Sequence, residues 1–313
     1  MSTTNTHSVT HSWSMMGGTA RVWVVYSGAD IANGLESVAA LVERRGAHLE
    51  SCWSRFMADS DLSRLTDADG QPTTVDPDTI TLLFAMLDGW NETDRDFDPT
   101  LLPAVVAEGY GRSLRDPTRI TRLPESSRSR ADLDAMRIDG LTVTVTRGTA
   151  LDPGGIGKGL AADLIASDLM ADGALGCLVE VGGDLRVVGV APDGVAWRVA
   201  VDDPFAPGTE RALVRLPDGG IATSSQRKRR WVSDSGSERH HLIDPTTQRS
   251  AISSIQTVTV ITSTAARAEV LTKPGFLRPL DEYLEWIPTR GAAALLIGAD
   301  GTERTTSNWG NYA

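Results

Sequence analysis

The chain has 313 residues, of which 41% are hydrophobic, and its formal net charge is −11. This length suits one large domain or two modest ones, and the composition is typical of a soluble globular protein. The acidity argues against nucleic acid as a partner and against binding to an anionic membrane surface, because both ligands attract basic patches.

The sequence has no apolar run of about 18 residues, the length that a membrane-spanning helix needs. The N-terminus lacks the basic and apolar regions of a signal peptide. Cys52 and Cys177 lie far apart and neither belongs to a CxxC pair, so we expect two free, buried thiols. These features predict a cytoplasmic protein that does not insert into a membrane.

The first third of the chain alternates polar segments with regular patterns. Residues 1–12 are polar and we expect them to be disordered, whereas residues 13–313 form the predicted domain. A turn at residues 15–19 leads into a predicted strand at 21–26. Apolar residues at helical spacing then predict a helix over residues 34–53.

A second helix is predicted to begin at Asp76-Pro77, because proline suits the first helical turn. The segment before it, residues 59–65, is interpreted as a polar loop. The predicted apolar stripe of the helix consists of Ile80, Leu83, Phe84, Leu87 and Trp90.

The rest of the chain mixes hairpins and helices. Asp139-Gly140 between two β-rich runs predicts a hairpin. Further strands are predicted at residues 178–181, 185–190, 197–201, 213–216, 256–261 and 292–297, with helices after Lys158 and at 264–272 and a polar loop at 221–225. This mixture favours an α+β fold over a doubly wound parallel sheet.

A glycine-rich segment at residues 151–159 lies where a loop gives way to a helical pattern. Glycines let a backbone approach a ligand closely, amides at a helix N-terminus bind phosphate, and Lys158 adds a positive charge. A second glycine pair, Gly182-Gly183, precedes Asp184. The spacing matches neither the P-loop nor the dinucleotide fingerprint, so the residues alone leave phosphate binding and a plain glycine-rich turn equally open.

Short motifs follow one another in a specific order between Met15 and Ile297. They are Met-Gly-x-Thr (16–19), Ser-Arg-Phe (54–56) with Asp-Ser-Asp-Leu-Ser-Arg-Leu (59–65), Phe-Asp-Pro-Thr (97–100), Leu-Asp-x-Gly-Gly-Ile-x-Lys-Gly (151–159), Gly-Gly-Asp-Leu (182–185), Ala-Thr-Ser (222–224) and His-x-Ile-Asp-Pro (241–245). Each motif alone is unspecific, but in this order they resemble the ApbE-like FAD:protein FMN transferases.

The resemblance implies a fold, a reaction and two cofactors. The fold is a single two-lobed α+β domain with mixed or antiparallel sheets, flanking helices and the ligand between the lobes. The implied enzyme binds FAD, uses Mg²⁺, transfers FMN to a threonine hydroxyl of a target flavoprotein and releases AMP. Two alternatives stay open: an FAD-binding protein with little turnover, and an FAD pyrophosphatase that yields FMN and AMP.

The resemblance also implies the site residues. Those assigned to FAD binding are Met16, Gly17, Ser60, Leu62, Ser63, Tyr110, Asp152, Gly154, Gly155, Lys158, Gly182, Gly183, Asp184, Thr223, Ser224, His241 and Pro245. The catalytic candidates are His241, Asp244, Glu269 and Lys273, and the metal candidates are Glu269 and the backbone carbonyl of Gly157. Structural alternatives remain: Tyr110 as a core aromatic, Asp244 as a turn residue, and His241 with His240 as a solvated pair.

Residues 265–273 depart from the family pattern. The family carries an Asp and, four residues later, a Thr that ligate the metal, whereas this chain has Glu269 and Lys273 at those positions. A protonated lysine cannot ligate Mg²⁺ and repels it. We therefore hypothesise that the Lys273 ammonium occupies the metal position and is held by Glu269. The alternative is an exposed helix ion pair, worth about 0.3–0.5 kcal/mol.

Overall fold

A computed structural model describes residues 6–28, 34–113, 115–232 and 236–312. The chain forms two compact units. Unit 1 comprises Met1–Ala47, Lys158–Ser225 and Ile255–Ala313, and unit 2 comprises His48–Gly157 and Gln226–Ser254.

The regular elements of the described residues are numbered in chain order. The helices are α1 (Gly34–Trp53), α2 (Asp61–Asp67), α3 (Pro77–Glu92), α4 (Leu102–Ala107), α5 (Gly157–Ala171), α6 (Ala265–Leu271) and α7 (Leu280–Thr289). The strands are β1 (Thr6–Met15), β2 (Gly18–Ser27), β3 (Thr73–Thr74), β4 (Arg137–Asp139), β5 (Thr142–Thr144), β6 (Gly176–Val181), β7 (Asp184–Gly189), β8 (Trp197–Asp202), β9 (Glu210–Leu216), β10 (Gly219–Ser225), β11 (Arg230–Val232), β12 (Glu238–His240), β13 (Ile243–Asp244), β14 (Arg249–Ser250), β15 (Ile255–Thr262), β16 (Ala293–Gly298) and β17 (Glu303–Thr305).

Unit 1 is built on one eight-stranded sheet in the order β1-β2-β6-β7-β10-β15-β16-β17. Every neighbouring pair in it is antiparallel. Helices and antiparallel sheets in one chain make this an α+β fold, as the sequence predicts.

The hydrophobic core of unit 1 includes a separate hairpin, β8–β9, that packs with the large sheet. Trp197 and Val214 of the hairpin join Ile221, Ile261 and Leu295 of the sheet in one buried cluster. Side chains of successive strand residues point to opposite faces, so the neighbours of these residues face the other side of the sheet. Helix α6 packs against β7, β10 and β15.

Unit 2 combines α2, α3 and α4 with the three-stranded sheet β3-β5-β4 and two short hairpins, β11–β12 and β13–β14. The buried carboxylate of Asp61 links α2 to α3, because it accepts hydrogen bonds from the Asp76 amide at 2.8 Å and the Thr79 hydroxyl at 2.7 Å. Asp76 in turn caps α3 by accepting from the Asp78 amide.

Most predicted elements are confirmed. Helix α1 spans the predicted residues, α3 begins at Pro77 after an Asp76 cap, and the Asp139-Gly140 hairpin forms between β4 and β5. The helix after the glycine-rich segment is α5. Both cysteines are free and buried, as expected.

Three expectations are wrong. The predicted disordered tail forms β1 from Thr6 onward, paired along its whole length with β2, whereas residues 1–5 lie outside the described part of the chain. The predicted loop at residues 59–65 contains α2, with Ser60 as its N-cap. The predicted loop at 221–225 is β10, a central strand in which the Thr223 and Ser224 side chains bond to neighbouring elements.

The predicted apolar stripe of α3 is shifted in part. Phe84 is half exposed, whereas Leu82 and Met86 are buried beside the predicted Leu83 and Trp90. Helices α4 and α7 have no counterpart in the prediction.

In unit 1, α5 and α6 meet at Gly159. A Cβ atom at this position would lie 2.3 Å from the Ala265 carbonyl oxygen, well inside van der Waals contact. The Asp163 carboxylate, one turn further along α5, accepts hydrogen bonds from the Ala265 and Ala266 amides at 2.9 Å each. Only glycine therefore lets the first turn of α5 approach the N-terminus of α6 this closely.

We expect Gly159→Ala to destabilise the protein by about 1–3 kcal/mol, because the added methyl group forces two backbones apart. Gly310→Ala is the matched control, since a Cβ there meets nothing within 4 Å. Urea unfolding followed by circular dichroism measures both. Equal urea midpoints for the two variants would contradict the close approach of α5 to α6 at Gly159.

Candidate functional site

In unit 1, Lys158 lies in the first turn of α5 and forms a buried ion cluster with two carboxylates. Its ammonium pairs with Asp184 at the start of β7 and with Glu269 of α6. The side chains of Lys158, Asp184 and Glu269 are 17%, 4% and 2% exposed, respectively. We call these three residues the Lys158 cluster.

Glu269 binds α5 by a second contact. Its second carboxylate oxygen accepts a hydrogen bond from the Gly159 amide at 2.9 Å. The first amides of a helix have no partner within the helix, and a negative charge there is stabilised by the helix dipole. Glu269 therefore satisfies a helix N-terminus and neutralises Lys158 at the same time.

The two carboxylates of the Lys158 cluster differ in their pKa. Burial raises the pKa of Asp184, and the charge of Glu269 raises it further against the opposing effect of Lys158. Burial also acts to raise the pKa of Glu269, but Lys158, Lys273 and the Gly159 amide outweigh it, so that this pKa is lowered. Glu269 is thus the firmly ionised partner, and Asp184 is the one that protonates first on acidification.

Gly182, next to Lys158, is hydrogen-bonded to the β1–β2 hairpin in unit 1. Met16 and Gly17 connect β1 and β2 with φ values of 47° and 73°, the pattern of a tight hairpin turn. The Gly182 amide donates to the Thr19 carbonyl at 3.0 Å. Gly182 has a φ of 60°, and a Cβ atom there would lie 3.1 Å from Lys158 Cδ, so glycine makes room for the lysine.

Lys273 lies in an oxygen-lined site next to the Lys158 cluster. Its ammonium donates to the Glu269 backbone carbonyl at 2.9 Å and contacts the Ser224 and Thr272 hydroxyls at 3.1 Å each. The two hydroxyl oxygens are themselves 2.7 Å apart.

The predicted Glu269–Lys273 pairing needs correction in its details. The Glu269 carboxylate pairs with Lys158, whereas Lys273 bonds to the Glu269 backbone carbonyl and lowers the carboxyl pKa through its charge. The alternative of an exposed helix pair is wrong, because Glu269 is 1% exposed. Sequence spacing could not show that Lys158, more than a hundred residues away, would take the carboxylate.

The neighbouring side chains of Thr223 and Ser224 have different partners. The Thr223 hydroxyl lies 2.9 Å from the Thr259 hydroxyl on the adjacent strand, whereas Ser224 bonds to Thr272 and Lys273. Successive strand residues point to opposite faces, so only Ser224 belongs to the surroundings of Lys273.

In unit 2, Tyr110 belongs to a stack of aromatic rings and a cation. Its ring is stacked on Trp231 with centroids 5.4 Å apart and contacts Phe56 edge-on at 6.0 Å. The Arg55 guanidinium lies 4.7 Å from the Tyr110 ring centroid and donates to the Tyr110 carbonyl at 3.0 Å. Tyr110 is only half-buried, so the alternative of a core aromatic describes it poorly.

Asp152 connects this stack to the glycine-rich segment within unit 2. Its carboxylate lies 3.6 Å from Arg55 Nε and accepts from the Gly154 amide at 2.9 Å. Asp152 thereby caps the short 3₁₀ turn Pro153–Gly155. This bond fixes the loop that contains Gly154 and Gly155.

The histidine loop of unit 2 has a structural role that the sequence left open. The Asp244 carboxylate accepts from the Thr246 amide at 2.7 Å, as a turn residue does. His240 Nε2 lies 3.0 Å from the Ala251 carbonyl oxygen, and burial lowers its pKa. His240 is thus a packed residue and not a solvated one, while His241 is partly buried and Pro245 buried.

Ser60 and Leu62 are each 1% exposed in unit 2. The Ser60 hydroxyl accepts from the Ser63 amide at 3.2 Å and caps α2. Their burial shows that Ser60 and Leu62 contribute to the fold of unit 2. A ligand role for Ser60, Leu62 or Ser63 stays a prediction.

The family profile described as "ApbE family" matches residues 16–296. The chain belongs to the ApbE family. It is 29% identical to an FAD:protein FMN transferase of Vibrio cholerae over 70% of this chain and 66% of that protein, and 28% identical to one of Escherichia coli K12 over 79% and 73%. The chain thus spans about two thirds to three quarters of these relatives' lengths.

The fold also matches solved structures of the ApbE family. The flavinyl transferase ApbE of Pseudomonas stutzeri in its apo form superposes with a TM-score of 0.81 at 26% identity, covering 99% of this chain and 98% of that one. The ApbE protein of Thermotoga maritima has a TM-score of 0.83 at 23% identity, which supports the fold alone. In the described residues, no helix is both long and apolar enough to cross a membrane.

The Mg²⁺ that the ApbE resemblance implies does not fit the residues around Glu269. Mg²⁺ binds oxygen ligands, preferably carboxylates. Here both oxygens of Glu269 already have donors, and the Lys158 and Lys273 ammonium groups both lie against this residue. A third cation would meet two positive charges in a buried region, which is unfavourable. The metal role of the Gly157 carbonyl stays a prediction.

A different group in unit 2 has donor atoms close enough to hold a metal ion. One atom each from His48, Cys52 and Asp76 lies within 4.8 Å of the others. The described contacts already account for these groups, because His48 Nε2 pairs with Asp76 at 3.3 Å and Asp78 at 3.2 Å. Burial and the charge of Asp76 raise the pKa of Cys52 to about 11, so the thiol stays protonated.

Two members of a candidate site, Arg55 and Trp231, were not predicted from the sequence. Arg55 lies inside the quoted Ser-Arg-Phe motif, and its 7% exposure marks it as an unusual buried charge. Trp231 follows a basic run and gives no signal of its own. Its indole donates to the Glu108 carbonyl at 2.7 Å, which places the ring on Tyr110.

We expect Lys158→Met to lower the free energy of unfolding by about 3–5 kcal/mol at pH 7, because it leaves two buried carboxylates without their shared cation. Without Lys158 the pKa values of both carboxyls rise in the folded state. A raised carboxyl pKa makes the folded variant take up protons on acidification, which stabilises the folded state. The difference in free energy of unfolding between the variant and the wild type therefore shrinks between pH 7 and pH 5.

Lys228→Met is the matched control, because Lys228 is exposed. Denaturant unfolding at pH 7 and pH 5 measures all three proteins. A deficit that is absent, or that grows toward pH 5, would contradict the buried cluster.

Proposed function

We propose that this protein is an FAD:protein FMN transferase that transfers FMN from FAD to a threonine hydroxyl of an acceptor protein and releases AMP. The observation that carries the proposal is the buried Lys158 cluster beside the glycine turn at Gly182 in unit 1. Membership of the ApbE family and relatives named for this activity support it.

The reaction requires positive charge more than it requires covalent chemistry. A bond forms between the threonine oxygen and the FMN phosphorus, while the bond from that phosphorus to the oxygen shared with AMP breaks. The hydroxyl proton leaves to a base and AMP departs with the bridging oxygen. Stabilisation of charge on the phosphates is the main task of such enzymes, and Lys158 and Lys273 are the proposed cations in unit 1.

Glycine turns and backbone amides are the proposed contacts for FAD in unit 1. Gly182 leaves room for Lys158, and a Cβ atom at Gly17 would meet nothing within 4 Å. Met16 and Gly183 are the proposed neighbours of these glycines in the same turns. Backbone that carries no bulky side chain can approach a phosphate or a flat ring closely. This use of the glycines agrees with the residues that the ApbE resemblance assigns to FAD.

The aromatic stack is the proposed contact for a planar ring in unit 2. Tyr110 and Trp231 are stacked on each other, and a flavin or adenine ring could extend such a stack. His241 and Asp244 are the proposed catalytic groups, with His241 as the base, because an imidazole titrates near neutral pH. The Thr246 contact of Asp244 suggests that this carboxylate positions the histidine loop.

One observation favours a second candidate, an FAD-binding protein with little turnover. Glu269 and Lys273 replace the residues that ligate the metal in the ApbE resemblance. If catalysis required that metal, the protein would bind FAD without transferring FMN. The pyrophosphatase alternative has no comparable support from a described contact.

The proposed reaction is tested by incubation with FAD and an acceptor domain that carries a threonine. We expect AMP in the chromatogram and a mass increase of one FMN on the acceptor. His241→Gln should reduce AMP release by about 100-fold, as loss of a general base does. His11→Gln is the matched control, because His11 pairs with Glu43 on the surface.

AMP without a mass increase on the acceptor would indicate the pyrophosphatase. Bound FAD without AMP in any condition would overturn the transferase and leave the binding protein. Equal AMP release from His241→Gln and His11→Gln would remove His241 from the mechanism.

A further inference from the structure

We propose that the Lys273 ammonium is a built-in cation that fills the metal position of the ApbE family, so that this protein works without Mg²⁺. The part that concerns catalysis rests on the proposed function. The part that concerns cation binding stands on the geometry of unit 1 alone.

Oxygen atoms line the site of the Lys273 ammonium. An ammonium group has three hydrogens to donate. Three oxygens lie at hydrogen-bond distance, from the Glu269 carbonyl at 2.9 Å and the Ser224 and Thr272 hydroxyls at 3.1 Å. Carbonyl and hydroxyl oxygens also serve as ligands for hard metal ions. The side chain therefore occupies a place whose lining suits a small cation.

The charges around Lys273 balance. The Lys158 and Lys273 ammonium groups carry two positive charges, and the Asp184 and Glu269 carboxylates carry two negative charges. Lys158 pairs with both carboxylates, and Lys273 donates to the backbone carbonyl of Glu269. The four groups are neutral together, so this buried region has no net charge to attract a further cation. A threonine in place of Lys273 would leave one negative charge uncompensated.

Both oxygens of the Glu269 carboxylate already have donors. One oxygen pairs with Lys158 and the other accepts from the Gly159 amide at 2.9 Å. A metal at this carboxylate would compete with a buried ammonium on one side and a helix amide on the other. Since unpairing buried groups is costly, the arrangement favours these two donors over a free metal ion at the carboxylate.

A tethered cation has a chemical consequence for flavin transfer. The positive charge beside the reacting phosphates cannot be removed by a chelator or diluted away. Its three hydrogens already have acceptors, so the Lys273 charge would act on a phosphate through space. We infer that AMP release by this protein is insensitive to EDTA.

Cation binding is measured first, by Mn²⁺ titration followed by electron paramagnetic resonance. The wild type should show no stoichiometric Mn²⁺ site. Lys273→Thr should bind one Mn²⁺ per chain, at least about 10-fold more tightly than the wild type binds the ion. Lys228→Thr is the matched control, since it removes an exposed lysine by the same substitution and should behave as the wild type.

Thermal unfolding gives a second readout that needs no flavin. Mg²⁺ should raise the melting temperature of Lys273→Thr. It should leave the melting temperatures of the wild type and Lys228→Thr unchanged. If Lys273→Thr does not fold, Lys273→Met preserves the apolar stem and removes only the charge. Lys273→Met should lose thermal stability, and Mg²⁺ should not restore it, because methionine offers no oxygen ligand.

Stoichiometric Mn²⁺ binding by the wild type at a site that competes with Mg²⁺ would overturn the proposal. Failure of folded Lys273→Thr to bind Mn²⁺ would also overturn it, because the position would then not be a cation site. Unaltered stability of Lys273→Met would show that the charge is not needed there.

AMP release completes the test. The wild type should release AMP equally in EDTA and in Mg²⁺, whereas Lys273→Thr should lose activity in EDTA and recover it with Mg²⁺. Wild-type activity that EDTA abolishes would contradict the built-in cation. If no protein releases AMP under any condition, the proposed function fails, but the Mn²⁺ and melting results still decide whether Lys273 fills the site.

Discussion

The buried contact between Lys158 and the carboxylates of Asp184 and Glu269 is the constraint on which unit 1 depends. It joins the N-terminus of α5, the start of β7 and the middle of α6 through one ammonium group. Such a contact is stable only when each charge has its partner, because an unpaired charge in the interior is costly. The cluster also requires glycine at two positions. A side chain at Gly159 would crowd α6, and one at Gly182 would crowd Lys158.

The fold was predictable from the sequence wherever local patterns decide the structure. Glycine and proline signals marked the start of α3, the Asp139-Gly140 hairpin and the beginning of α5. Ordered motifs led to the ApbE family, which the comparisons confirm. The expectations failed where tertiary contacts override local polarity: Thr223 and Ser224 of β10 fit a central strand because each side chain bonds to a neighbouring element.

The candidate site was only partly predictable, because it depends on contacts between distant residues. The sequence marked Lys158, Asp184, Glu269 and Lys273, but it could not show which carboxylate takes which ammonium group. The structure assigns Lys158 to the two carboxylates and gives Lys273 three neutral oxygens. The Tyr110–Trp231 stack of unit 2 was hidden for the same reason, since 120 residues separate the two rings in the chain.

The most direct test of the built-in cation is a crystal structure of the wild-type protein grown with Mn²⁺, using the anomalous signal of the metal. The account predicts no anomalous peak at the Glu269 carboxylate and clear density for the Lys273 ammonium among the three oxygens of Glu269, Ser224 and Thr272. A manganese peak bound to Glu269, with the Lys273 side chain turned away from those oxygens, would contradict it.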